Sequence, residues 1–121
     1  MSCKRILLVE DEMLIALDIE ATLHQLGHEV FSATTVAEAL KHLEHGVDLA
    51  ILDFQLKAGD TTGLAHHLRD IGIPFVVCSG NISLDDLGAA FAGASFLPKP
   101  FSTDGLLDAV ARAATAHRAD A

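Results

Sequence analysis

Residues 48–56 read DLAILDFQL, and the rest of the chain is understood from this stretch outward. Leu49 to Leu52 is apolar at every position instead of alternating, the pattern of a strand buried on both faces. The run stops on a carboxylate, Asp53. Aspartate is rarely buried without a partner. An acid at the mouth of a buried strand therefore has either a compensating cation or a chemical task.

Around this stretch, short apolar runs alternate with segments of helical period. Arg5–Val9 (RILLV) reads as the first strand, and Met13–Leu26 as a helix with Leu14, Leu17, Ala21 and Leu26 near helical spacing and Gly27 as its stop. His28–Ala33 is a second strand. Thr35-x-x-Glu38 has the form of a capping box and starts a helix running to Gly46. Asp48–Leu52 is the third strand. The loop KAGDTTG then leads to a helix over Leu64–Asp70 that ends at Gly72-Ile73-Pro74. Phe75–Ser79 is the fourth strand. Ser83-x-x-Asp86 caps a short helix through Phe91, interrupted by Gly88. Ser95–Leu97 is a brief fifth strand, and Ser102 caps a last helix from Thr103 to about Arg118, with Arg118–Ala121 expected to fray. Five βα units with uniformly apolar strands predict an α/β fold, a doubly wound parallel sheet covered by helices on both faces.

Composition narrows the function. The 121 residues suit one domain, and half are hydrophobic, with six Phe and no Trp or Tyr, so the core is aliphatic. A formal net charge of −9 argues against a sequence-independent grip on nucleic acid and against adhesion to anionic lipid. No apolar run reaches the ~18–20 residues of a membrane span, and the N-terminus meets acids too soon for a signal peptide. Cytoplasmic residence is the expectation. Cys3 and Cys78, the two cysteines, are expected as reduced thiols rather than a disulfide framework, with Cys78 inert on a buried strand. The seven histidines show no zinc-type spacing and are expected at the surface.

In a doubly wound sheet every strand's C-terminal end points to one edge, where ligands bind. Glu10, Asp11 and Glu12 follow the first strand, Asp53 ends the third, Ser79-Gly80 end the fourth, and Lys99 follows the fifth between Pro98 and Pro100. If the second strand lies outside the first, then Glu10, Asp11 and Asp53 share one crevice. Crowded carboxylates repel, and a hard divalent cation such as Mg²⁺ relieves the repulsion. Two charges from the ion and one from Lys99 balance the three acids, so an incoming phosphoryl group meets a nearly neutral site. One carboxylate is then free to attack phosphorus and form an aspartyl phosphate. Asp53 is the candidate, since it ends the most central strand. Glu10 and Asp11 are left to hold the metal.

The ILLVEDE start, the strands ending on Asp53 and on Ser79-Gly80, and FLPKPF (Phe96–Phe101) together resemble the receiver domain of two-component response regulators, the CheY-like superfamily. The resemblance spans essentially the whole chain. It implies a flavodoxin-like (βα)5 fold with strand order 2-1-3-4-5, and a single receiver domain over residues 1–121 with no output domain. It implies that Asp53 accepts a phosphoryl group from a sensor histidine kinase or phosphotransfer protein. It also implies Mg²⁺ on Asp11, Asp53 and the Gln55 backbone carbonyl, with Glu10 assisting through water. Ser79 and Lys99 would hold the phosphoryl group, and Ser79 and Phe96 would form the switch that alters binding of a downstream protein partner or a homodimer. Lys99-Pro100 matches a bond that is often cis in this family.

The chain departs from the family in places. Many receivers carry Met-Pro shortly after the phosphoacceptor. Here the loop reads Leu56-Lys57-Ala58-Gly59-Asp60-Thr61-Thr62-Gly63, without that proline and about two residues longer. Val77-Cys78-Ser79-Gly80 resembles a variant of the "FAT GUY" subclass. Three rivals are weighed. A pseudo-receiver keeps the fold without phosphorylation, but retention of all five site residues speaks against it. An aspartate phosphatase needs a second acid where Gln55 stands. A flavodoxin-like flavin carrier needs a phosphate-cradling loop where the first acids stand.

Overall fold

The expected strands all form in a computed structural model, which describes residues 4–120. Cys3, expected as a reduced thiol, and Ala121 lie outside the described residues. β1 (Arg5–Val9), β2 (Glu29–Ala33), β3 (Leu49–Asp53), β6 (Phe75–Ser79) and β7 (Ser95–Pro98) make one parallel sheet in the order β2-β1-β3-β6-β7. Counting these five alone, that is 2-1-3-4-5. Between β3 and the next helix stands an antiparallel hairpin, β4 (Gln55–Leu56) with β5 (Gly59–Asp60), where a plain loop was expected. The helices are α1 (Met13–Gln25), α2 (Val36–Leu43), α3 (Thr62–Asp70) and α4 (Thr103–Asp120). Among the described residues no helix is long and apolar enough to cross a membrane.

Strand alternation sorts the core into two layers. Leu7, Val9, Leu52 and Val77 face α2 and α3, together with Phe91. Ile6, Leu8, Ile51 and Val76 face α1 and α4, against Ile19, Leu23, Leu106 and Val110. The capping box at Thr35 forms: Thr35 Oγ1 accepts the Glu38 amide at 3.2 Å. The Glu38 carboxylate reaches back to the amide and hydroxyl of Thr34. Ser102 Oγ likewise accepts the Gly105 amide and starts α4. That helix runs two residues past its expected end at Arg118.

Three expectations are corrected. First, α1 buries Ile19 and Leu23, with Ile15 and Ala16 half-buried, whereas Leu14 (84% exposed), Leu17 and Leu26 face outward. Both sets have helical spacing, so periodicity alone could not choose between them. Second, the fourth helix is absent. Two short 3₁₀ turns, Leu84–Asp86 and Ala89–Phe91, replace it. Gly88 between them adopts φ +105°, which ends any helix. Ser83 Oγ donates to Asp86 Oδ2 instead of capping. Arg69 holds the second turn, donating to the carbonyls of Ala89, Ala90 and Ala92 at 3.0, 3.2 and 2.6 Å.

Third, His28 is buried, not superficial, and its Nδ1 accepts the Lys4 amide at 3.1 Å. Burial, then the nearby Lys4 charge, push its pKa below the usual 6.5. The unfolded chain therefore takes up this proton first. The stability that His28 confers is complete above pH 6.5 and is lost as pH falls toward its folded pKa. Thermal melts from pH 7 to 5 are expected to show a steeper decline for the wild type than for His28→Asn, whose amide oxygen still accepts but does not titrate here.

Candidate functional site

The sheet order puts β1 beside β3 and β3 beside β6, so their C-terminal ends share one rim. Glu10 follows β1 directly, its amide tied to the Ala33 carbonyl at 3.0 Å. Asp53 closes β3 opposite Cys78 of β6. Both acids are buried, at 4% and 6% exposure. Lys99 donates its amide to the Ser79 carbonyl, which anchors the segment after β7 to β6 and brings the side chain over the rim. Its ammonium stands 3.1 Å from Asp53 Oδ2 and 3.3 Å from Glu10 Oε2. The Lys99–Pro100 peptide bond is cis, as the resemblance implied.

Oxygens of Glu10, Asp11 and Asp53 lie within 4.8 Å of one another. Three carboxylates face one ammonium, so the cluster keeps an excess of negative charge. Burial raises the pKa of Glu10 above its usual 4.5 and the Asp53 charge adds to that rise, although the Glu12 amide and Lys99 oppose it. Burial alone would lower the pKa of Lys99. The Asp53 and Glu10 carboxylates outweigh that cost and raise it, so the ammonium keeps its proton. The donor set is all hard oxygen, partly buried and under-neutralised. That fits a divalent cation that retains some water, as Mg²⁺ does.

The other expected residues are placed more loosely. Gln55 stands in β4, where it pairs with Asp60, and its side-chain amide donates to the Leu56 carbonyl. Ser79 is buried at the end of β6, and among the described residues its hydroxyl makes no hydrogen bond. Phe96 is half-buried on β7, packed on the layer that holds Phe91 and beside Val77 in register. Cys78 is free, and burial pushes its thiol up to about 12, which leaves it unreactive in place as expected.

Two groups were not foreseen. Thr61 is fully buried, and its hydroxyl donates to the carbonyls of Asp53 at 2.9 Å and Phe54 at 3.3 Å. It precedes α3, yet its hydroxyl serves the strand instead of capping the helix. The Lys57 amide donates to Asp11 Oδ2 at 2.6 Å. A backbone amide has no side-chain signature, so no sequence pattern reports it.

The family model described as the response regulator receiver domain matches residues 6–111. The chain belongs to this receiver family. Among receiver-containing relatives, PdtaR of Mycobacterium tuberculosis, a transcriptional regulatory protein, is 33% identical over 120 residues, covering 95% of this chain and 58% of PdtaR. The chain spans about half the length of the curated relatives it matches. A CheY-like receiver from Methanospirillum hungatei superposes with a TM-score of 0.83 at 28% identity, covering 99% of this chain and 100% of the other. SdrG from Sphingomonas melonis superposes with a TM-score of 0.77 at 41% identity, covering 92% and 97%. The fold is therefore the CheY-like, flavodoxin-like one, and the chain is a signalling receiver homologous to response regulators.

Proposed function

We propose that Asp53 is the phosphoacceptor of this receiver and takes its phosphoryl group from a sensor histidine kinase or a phosphotransfer protein. The observation that carries the reading is the placement of Asp53 at the rim, 3.1 Å from Lys99 and grouped with Glu10 and Asp11. A carboxylate oxygen of Asp53 attacks phosphorus, the bond from phosphorus to the donor's nitrogen breaks, and the electron pair leaves with that nitrogen. Lys99 gives up its contact with Asp53 to pair with an equatorial phosphoryl oxygen. Ser79, whose hydroxyl is uncommitted, donates to another. Phe96 lies on the same sheet face as Ser79 and follows the change.

Glu10, Asp11 and Asp53, with the Gln55 carbonyl, are the residues that would hold Mg²⁺. When bound, the ion supplies charge neutralisation and orientation for the transferring group. The switch has no other chemistry than acquiring the phosphoryl group from donors and slowly losing it to water. The outward stripe of Met13, Leu14 and Leu17 begins one residue past Glu12. Large exposed apolar side chains next to a site mark a protein-binding surface, and this stripe serves the partner that delivers the phosphoryl group. A downstream protein, or a second copy of the chain, reads the phosphorylated state. Cytoplasmic residence accords with such partners.

The test is incubation with Mg²⁺ and a small acyl phosphate, followed by intact mass. The wild type is expected to gain one phosphoryl group and Asp53→Asn none. A wild-type mass that never changes would replace this reading with the pseudo-receiver, a binding module that keeps the fold alone.

A further inference from the structure

We propose that the backbone amide of Lys57 is a positioning group for the cation site: it fixes one oxygen of Asp11 and leaves the other for the ion. The inference rests on the metal-site reading above and adds a role for the β4–β5 hairpin. Asp11 lies beyond the end of β1, and among the described residues its carboxylate has one hydrogen-bond partner, the Lys57 amide. The 2.6 Å separation marks a charge-assisted bond, the stronger kind.

A carboxylate on a loop is otherwise free to rotate, and an ion that binds it must first order it. A group already held in place spares the ion that cost. The hold is useful only if the hairpin itself is fixed, and two features fix it. Leu56, immediately before Lys57, is buried in the core. Thr61, at the far foot, is fixed through its hydroxyl to the Asp53 and Phe54 carbonyls and through its amide to Phe54. Gly59 takes φ +143°, which lets the chain turn back at once into β5. The hairpin thus starts two residues past Asp53 and steers Asp11 from its tip. It links two acids that are distant in sequence.

The opposite role is also physically defined: an amide that competes with the ion for Asp11 would weaken binding. Variants distinguish the two. Lys57→Ala keeps the N–H and removes the ammonium, whereas Lys57→Pro removes the N–H. Mg²⁺ titration of ¹⁵N-labelled protein, read by amide shifts, is expected to give Lys57→Ala an affinity within about twofold of wild type. Lys57→Pro should bind about tenfold more weakly, the usual cost of losing a partner of a metal ligand. Unchanged or tighter binding by a folded Lys57→Pro overturns the proposal. A second measurement stands if that variant does not fold. In ion-free wild type the Lys57 amide should exchange slowly, and Asp11→Ala should shift it and speed its exchange. An amide indifferent to Asp11→Ala overturns the proposal equally. A wild type that binds no Mg²⁺ defeats the metal-site reading and the inference together, whereas normal binding with an indifferent Lys57 defeats the inference alone.

Discussion

Lys99→Met is expected to cost about 3 kcal/mol of stability at pH 7 without divalent ions, because it strips the cation from a buried group of acids. Glu10 and Asp53 are both buried and both lean on this ammonium. Methionine keeps the length and apolar stem and removes only the charge. The loss should be pH-dependent, with a definite sign. The folded pKa of Glu10 already lies above its usual 4.5, and losing Lys99 raises it further. A raised folded pKa means stability that is present below the unfolded value and lost as pH rises through the folded one. Urea melts at pH 5 and pH 7 should therefore differ more for the variant than for wild type. Millimolar Mg²⁺ should restore much of the difference at pH 7, since it replaces the missing positive charge. Phosphorylation by an acyl phosphate should slow about 100-fold, the scale for losing one preorganised charge at a transferring group. A variant whose stability ignores both pH and Mg²⁺ would show that the acids do not interact.

Phe91→Ala is expected to destabilise the fold by about 4 kcal/mol. Phe91 is fully buried, with Phe54 edge-on at 5.4 Å and Phe75 at 6.3 Å between ring centroids. It is also the main anchor of the segment that replaces a fourth helix. The two 3₁₀ turns are too short to persist alone. What holds them is this ring in the core and Arg69 on the carbonyls. At roughly 4 °C per kcal/mol for a domain of this size, the melting temperature should fall by about 15 °C. Phe91→Leu, which refills part of the cavity, should lose about half as much. A fall below about 5 °C for the alanine variant would mean that the turns are held by something other than the ring.

The strands and the rim were legible because uninterrupted apolar runs have few alternatives in a chain of this size. β1 and β6 have the expected bounds, and the acids stand where strand ends had to bring them. The capping residues Thr35 and Ser102 were legible for a local reason: a hydroxyl and a helix start fit each other regardless of context. Other features depended on tertiary packing. α1 carries two apolar faces, and only the sheet decides that Ile19 and Leu23 go inward while Leu14 and Leu17 stay out. Ser83-x-x-Asp86 looks like a cap, but Gly88 follows too closely for a helix to gain from it. His28 carries nothing in its own type to say that it would be buried against the Lys4 amide. At the site, the side chains were legible and their supports were not. Lys57 acts through its backbone, and Thr61 through a hydroxyl turned away from the helix it precedes.

Cys78 lies directly across the sheet from Asp53, with a thiol held near 12 and almost no exposure. Its side chain packs in the layer under α1 and α4, so its alkylation rate follows the fraction of time that this packing is open. With Cys3 replaced by serine, the protein carries its own stopwatch for the opening of this layer. A group bound at Asp53, the register neighbour of Cys78, is expected to slow this reaction, which can be followed without an attached dye.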